Sequence, residues 1–552
     1  MTFKEVVIEP VTRIEGHLAV RALLDLNGKV VAEANTTATM FRGFEIILKG
    51  RHPLDAQWIT PRICGVCSVT HAMASTESLD MALKVEPAQL GIVLRNLAQE
   101  ADMIYDHTIH WFQLAGTDYS ETLIKKTSPS WIEEARNVKA EKASAYGYET
   151  VYDILKGLNP LSGRLYVKAL QTGRLARETA TIILGKLPHP AAIVPGGVSK
   201  SLRPDEIAAY TYRLMELIDW IKEWTAVADD LCSFLSEKVN YAENGLREAN
   251  LLAYGMYDDE EFYDAKLENM DGWGEKRGVT PGIIINGEIK TTKLTEINRG
   301  IMESVAHSWY EEWKAQEFND VSVKHPWNKE TLLNPTAKDW EKKYSWSTAP
   351  RWNGTAVEVG PLARMWTTAA AGKLPEAGGG RLKFTLPKAS LPEAEMEYKT
   401  PAKPNTIERL RARAYFAAWS AYRALRDLER LLSLVKSGVT RSCNQPKTFI
   451  EGVSRGAGMV EAPRGSVGHW SVVKGDKIAR YQVITPTNWN VSPRDAEGKP
   501  GPIEEAVTGN PITEETGEIK GIDVVRTVRG FDPCLACTVH MYCKGKLERT
   551  VL

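Results

Sequence analysis

The chain predicts an α+β fold that is mainly helical, with a long central helix bundle and smaller β-containing lobes. Three observations carry this. Several long stretches keep helical apolar periodicity with no proline inside. An alternating segment with an Asn-Gly pair opens the chain. Turn-rich pieces heavy in glycine and proline separate the helices.

Taken in order, Leu18–Leu26 alternates, Asn27-Gly28 suits a tight turn, and Val30–Ala34 returns as the second strand of a hairpin. Gln89–Leu114 places Ile92, Leu94, Leu97, Met103 and Ile104 at helical spacing. Gly163–Leu184 and Asp205–Val239 repeat the pattern, the latter opened by Pro204-Asp205-Glu206. Ile407–Ser437, preceded by Asn405-Thr406 and ended by Gly438, would span roughly 45 Å as a helix. Asp259–Lys290 is acidic and turn-rich, with Gly282 and a hairpin-like Asn286-Gly287. Tryptophans 309, 313, 327, 340, 346 and 352 stand among polar residues, which predicts a peripheral layer. Gly378–Pro404 is the best linker candidate. The expected divisions are a β-rich lobe over 1–60, helical core over 61–258, and a mixed peripheral insertion and linker over 259–406. A second helical part with a C-terminal metal-binding segment follows over 407–540, then an extension over 541–552.

Composition excludes several classes. Lys+Arg 69 against Asp+Glu 70 leaves a net charge of -1, so no basic field draws nucleic acid or anionic lipid. No apolar run reaches the ~18 residues of a membrane span. Met1–His17 lacks the apolar core of a secretory signal. Seven cysteines, an odd count in 552 residues, make no disulfide framework. A soluble protein assembled in the cytosol is expected.

Four of those cysteines form two pairs of equal spacing, Cys64/Cys67 and Cys534/Cys537, with His540 three residues after the second. A Cys-x-x-Cys turn sets two thiolates on one side of a loop, the bite a soft metal needs. Gly65 permits a sharp turn, and Pro533 delays helix formation before Cys534. Other readings stay open: a redox pair, a closed structural zinc joining both chain ends, or chance spacing of buried thiols. Arg62 and His71 near the first pair, and Pro463-Arg464-Gly465 far along the chain, favour an open site, because a tetrathiolate around a divalent metal carries net negative charge. Cys232 falls in a helical stretch and reads as core; Cys232, Cys443 and Cys543 have no partner at ligand spacing.

Together these residues resemble the large subunit of nickel–iron hydrogenases. The resemblance runs in family order through Val11–His17, Met40–Glu45, Arg62–His71, Tyr105–His107, Pro188–Pro190, Glu358–Arg364, Ala462–Trp470 and Asp532–His540. It implies that Cys64, Cys67, Cys534 and Cys537 bind nickel, and that Cys67 and Cys537 bridge to an iron carrying one carbon monoxide and two cyanides. Arg464 and the Pro463 loop, with Thr487 opposite, would donate to the cyanides, and Val467 would line the carbon monoxide pocket. Cys534 would be the terminal thiolate that takes a proton, and Glu15 would carry it onward. Arg464, held by Asp106 and Asp532, would stabilise charge above the metals, or act there as a base if tightly arranged. Glu45, the carbonyl of Val483 and His540 would hold magnesium, although Glu45 alternatively suits a salt bridge with Arg42. His71 is expected to hydrogen-bond a bridging thiolate, and His17, His107, His189 and His469 to be structural.

The implied activity is heterolytic, reversible splitting of hydrogen into two protons and two electrons, most naturally as uptake. Val66 and Leu114 match the smaller gate pair of catalytic members, which speaks against a regulatory hydrogen sensor; the sensor and a structural zinc protein remain the alternatives. With no spare cysteine clusters here, electrons must leave through an iron–sulfur small subunit. Family precursors lose a tail after the terminal histidine, so a maturation endopeptidase is expected to cut between His540 and Met541. Assembly is expected in the cytoplasm. The mature complex would stay there, or become membrane-associated or periplasmic by export with the small subunit.

Overall fold

The computed structural model describes residues 3–515 and 519–538, the side chains of Cys537 and Thr538 excepted. Strands β1 (Phe3–Ile8), β2 (Leu18–Asp25) and β3 (Val30–Ala38) form an antiparallel sheet in that order. The Asp25 carboxylate accepts the N–H groups of Asn27 and Gly28 and so shapes the β2–β3 turn expected there.

Helices α1 (Phe44–Leu48), α2 (Ser68–Ala82), α3 (Gln89–Ile109), α4 (Arg164–Leu184), α5 (Pro204–Ser233), α6 (Pro361–Ala371) and α7 (Thr406–Lys436) follow. The four longest are those the periodicity predicts, within a few residues. Asn405 caps α7 by accepting the Glu408 N–H at 2.8 Å. Helices α3 and α5 are prolonged by single π-helical segments, His110–Ala115 and Phe234–Lys238. In the bundle, α3 and α5 each pack against both α4 and α7. Trp111, Trp220, Trp224 and Trp419 fill its centre.

The sequence reading places 407–540 in a second helical part. Between its helices the structure instead holds an antiparallel meander of β4 (Ile450–Ala462), β5 (Gly465–Gly475) and β6 (Lys477–Ile484). Both faces of β5 are covered from Gly465 to Val473, so its sequence lacks the alternation that marks a half-buried strand. The meander lies on α2, which is buried on all sides. Gly456 and Gly458 allow this approach: a Cβ on either would stand 1.8 Å from a carbonyl oxygen of α2, Ser78 or Ala74.

The linker expected over Gly378–Pro404 is also structured. Arg381–Leu386 pairs with Ala394–Lys399, and Leu382, Phe384, Leu386, Met396 and Tyr398 are buried against the bundle. Its glycines and prolines flank the strands rather than loosen the chain. Of the six tryptophans expected as a peripheral layer, Trp309 and Trp327 are buried. Trp346 stacks on Phe41. Helices α8 (Pro486–Asn490) and α9 (Ile522–Phe531) and the turn α10 (Leu535–Thr538) complete the chain. Val524, Val528 and Phe531 of α9 pack with Leu18, Val20 and Ala34, so the two chain ends share one core. Among the described residues no helix is long and apolar enough to cross a membrane.

Candidate metal centre

Two cysteine loops meet where the chain ends meet. In the first, Cys64 is extended and Cys67 is the residue before α2. The backbone N–H groups of Val66 and Cys67 both donate to Cys64 Sγ at 3.3 Å, which suits a thiolate. In the second, α9 stops at Asp532 in a left-handed conformation and Pro533 forbids its continuation. The Cys534 N–H donates to Thr487 Oγ1 at 2.9 Å, and the Leu535 N–H donates to the Glu15 carbonyl at 2.8 Å. Gly16 makes that zipper possible: its φ is +78°, and a Cβ there would lie 2.7 Å from the Ala536 nitrogen.

The result is three buried sulfurs, Cys64, Cys67 and Cys534, all within 4.8 Å of one another. Cys64 Sγ and Cys534 Sγ are 3.2 Å apart, far beyond the ~2.05 Å of a disulfide. Three thiolates this close in a dry pocket repel unless a cation sits among them, and soft donors select a soft metal. The donor set therefore fits nickel. The Cys537 side chain, His540 and the 541–552 extension lie outside the described residues.

Glu15 reaches the same spot. Cys534 Sγ donates to Glu15 Oε2 at 3.0 Å, and the Ala536 N–H donates to the same oxygen at 2.8 Å. Burial first, and the negative sulfur of Cys64 second, raise the Glu15 pKa. That combination makes a carboxylate able to accept a proton from the adjacent thiol.

Above the sulfurs, Pro463-Arg464 is the tip of the β4–β5 hairpin, with Ala462 paired to Gly465. The buried Arg464 guanidinium donates from Nη1 to Asp106 Oδ2 at 3.0 Å and pairs through Nε with Asp532 Oδ1 at 3.2 Å. Burial lifts Asp106 to about 6 even beside Arg464. Burial acts the same way on Asp532, but Arg464, His110 and Arg413 outweigh it and hold its pKa below the ordinary value. Burial would lower the Arg464 pKa; Asp106, Asp532 and the cysteine sulfurs hold it well above the usual value, so the guanidinium stays charged. Thr487 begins at the second position of α8, and Val467 is buried opposite Val460 in the hairpin.

His71, one helical turn after Cys67, has Nδ1 3.0 Å from His469 Nε2, which leaves only Nε2 for a sulfur. His469 Nδ1 continues to the Tyr481 hydroxyl at 2.8 Å. Burial lowers the His71 pKa to about 4, so the ring is neutral. Glu45 is buried in α1, which packs on β6, the strand carrying Val483. Val66 packs beside the cysteines, and the Leu114 carbonyl accepts from Arg13 Nη1 at 2.7 Å.

Four arginines that the sequence reading did not single out for the site hold it in place. Arg42 Nη2 donates to the carbonyls of both Ile63 and Ala536 and so ties one cysteine loop to the other. Arg529, at the end of α9, donates to Asp118 at 2.7 and 2.9 Å and to the Thr12 carbonyl at 2.9 Å. Arg364 Nη2 donates to the carbonyls of Ala462 and Pro463 at 2.7 and 2.9 Å. Arg413 Nη1 pairs with Asp532 Oδ2 at 3.0 Å. The signal available for Arg413 is its place on the apolar face of a helix, where a charged residue needs a buried partner.

The chain is similar to known proteins over nearly its whole length. The family model described as nickel-dependent hydrogenase matches residues 42–156 and 135–540, and one described as HoxL-like matches residues 5–36. The uptake hydrogenase large subunit of Bradyrhizobium diazoefficiens is 31% identical over 598 residues, covering 98% of this chain and 95% of that protein. The hydrogenase-1 large chain of Escherichia coli is 30% identical over 599 residues, covering 98% and 95%. Among solved structures, the actinobacterial-type NiFe-hydrogenase from Ralstonia eutropha superposes with a TM-score of 0.94 at 38% identity, covering 97% of this chain and 100% of that one. The Ni-Fe-Se hydrogenase of D. vulgaris gives 0.76 at 26%, covering 98% and 100%.

Proposed function

The chain belongs to the nickel-dependent hydrogenase family, and from that premise we propose that it is the catalytic subunit of a NiFe hydrogenase, working in hydrogen uptake. The observation that carries this is the hydrogen bond from Cys534 Sγ to Glu15 beside two further buried thiols. A structural zinc site has no use for a carboxyl with a raised pKa against one of its sulfurs.

Cys64, Cys67, Cys534 and Cys537 would hold nickel, with Cys67 and Cys537 shared with an iron bearing two cyanides and one carbon monoxide. That centre, when bound, supplies the Lewis acidity and electron acceptance that split hydrogen into two protons and two electrons. The protein's own groups do the rest. Cys534 sulfur takes one proton and passes it 3.0 Å to Glu15, whose raised pKa matches an acceptor that must later release it. Arg464 faces Asp532 through Nε as an ion pair and donates from Nη1 to Asp106, so Nη2 would be the nitrogen that donates to a cyanide. Thr487 accepts from the Cys534 N–H through its oxygen, so its hydroxyl hydrogen suits the other cyanide. Val467 offers an apolar wall to carbon monoxide, a poor hydrogen-bond acceptor. Arg464, fixed and charged in a dry pocket, stabilises negative charge that develops above the metals.

Magnesium would be held by Glu45, the Val483 carbonyl and His540. The electrons would pass to an iron–sulfur small subunit. Ile46, Ile47 and Trp58 are 48%, 43% and 43% exposed on short helices whose inner sides join the cysteine cluster, and they suit that interface. A maturation endopeptidase would cut after His540. Assembly would be cytoplasmic, with the mature complex cytoplasmic or exported with its partner. Glu15→Gln tests the proton path: metal content should stay at the wild-type level while hydrogen uptake falls at least about a hundredfold. Uptake at the wild-type rate would contradict it.

A further inference from the structure

Helix α7 contributes one side chain to the centre, and its contacts are unusual. Arg413 is 1% exposed, so its charge must be answered inside the protein. Its Nη1 reaches three different site-forming elements: His107 Nδ1 of α3 at 2.9 Å, the Pro463 carbonyl at the β4–β5 tip at 3.3 Å, and Asp532 Oδ2 at 3.0 Å. An arginine only donates, so His107 must accept at Nδ1 and carry its hydrogen on Nε2. Burial and the neighbouring Arg413 keep that ring neutral. Arg364 supports the same turn from α6 through the Ala462 and Pro463 carbonyls. Asp532 is thus clamped between two guanidiniums, with Arg464 on Oδ1 and Arg413 on Oδ2.

We infer that Arg413 is a positioning residue of the reaction, fixing the Pro463-Arg464 turn relative to Asp532 and so aiming the Arg464 guanidinium. Resting on the hydrogenase reading above, this adds a residue to which that reading gives no part. The turn is held through its carbonyls: Arg413 and Arg364 both donate to that of Pro463, and Arg364 donates also to that of Ala462. Holding the Pro463 carbonyl, and holding the carboxylate that pairs with Arg464, are two halves of one constraint. Arg413 supplies both from a single nitrogen, on a helix long enough to be rigid.

The test uses the full heterodimer carrying Arg413→Gln, Arg413→Lys or, as a control at the same depth on α7, Arg409→Lys, whose partner is Glu358. Metal content, the infrared bands of the iron-bound cyanides, kcat and KM for hydrogen, and the crystal structure of each variant are compared. For Arg413→Gln the expectation is wild-type metal content, shifted cyanide bands, Arg464 displaced from Asp106, and kcat lower by about a hundredfold with KM little changed. Arg413→Lys, which keeps the charge on Asp532 but cannot hold all three partners, should show a smaller shift and partial recovery of kcat. Arg409→Lys should leave the bands in place. If Arg413→Gln does not accumulate, Arg413→Lys decides. Unshifted bands with Arg464 in its wild-type position, in either variant, overturn the proposal. Cyanide bands missing from the wild type would instead overturn the hydrogenase reading, and this proposal with it.

Discussion

Cys534 takes its position from three short contacts: Thr487 on its amide, Glu15 on its sulfur, and the Cys64 sulfur at 3.2 Å. Each partner comes from a different part of the chain, so the site depends on closure of the whole fold. Its residue types were legible in the sequence, because paired cysteines, an Arg in a Pro-Arg-Gly turn and a carboxyl in Arg-Ile-Glu-Gly are chemically distinctive at short spacing. The arginines that hold them were not. Arg42 and Arg413 act on groups that only the fold brings near, such as the Ala536 carbonyl for Arg42 and His107 for Arg413, and no local pattern marks such a target. Arg42→Met keeps the apolar stem but releases the Ile63 and Ala536 carbonyls. The purified protein should lose most of its nickel while remaining folded by circular dichroism; full nickel occupancy would mean the two cysteine loops hold their spacing without it.

Elements were read unevenly for a physical reason. Helices α4 and α5 expose one face and α7 is capped by Asn405, so their period shows, whereas α3 is buried along nearly its whole length and shows through an unbroken run without proline. The β4–β6 meander is covered on both sides along β5, and Gly456 and Gly458 are there for close approach to α2 rather than for a turn. Gly458→Ala should therefore cost about 3 kcal/mol or more, seen as a lower denaturant midpoint, because the new methyl meets the Ala74 carbonyl rather than a movable side chain. A second prediction concerns the contact between β3 and the helix at Pro502–Val507. Glu504 accepts the Thr36 N–H at 2.9 Å and the Tyr344 hydroxyl at 3.1 Å, and burial lifts its pKa to about 7. The neutral acid stabilises the fold fully below the ordinary value of 4.5, and that contribution is lost as pH rises towards 7. Glu504→Gln should melt with the wild type near pH 4.5 and above it at pH 8, a gap of about 1–3 kcal/mol. A gap of the opposite sign at pH 8 would show that the ionised carboxylate is favoured there.

At the scale of the molecule, the amino end and the carboxyl end build one half of the centre while the bundle and meander build the other. Glu15, Arg42 and Cys534 belong to the first group; Asp106, Arg413 and Arg464 to the second. The Cys534 loop rests on Thr487, Glu15 and Arg42 at once, so seating it completes the site. Trp58→Glu, on the exposed apolar surface beside the cysteine loops, should reduce copurification of the proposed iron–sulfur subunit by at least about tenfold, because a carboxylate buried there would be unpaired. Undiminished copurification would move the interface elsewhere. If this chain carries a nickel–iron centre, metal analysis and infrared spectroscopy of the purified complex should find about one nickel per chain, together with the separate absorptions of one metal-bound carbonyl and two cyanides. About one zinc per chain, with no such absorptions in fully processed protein, would contradict it.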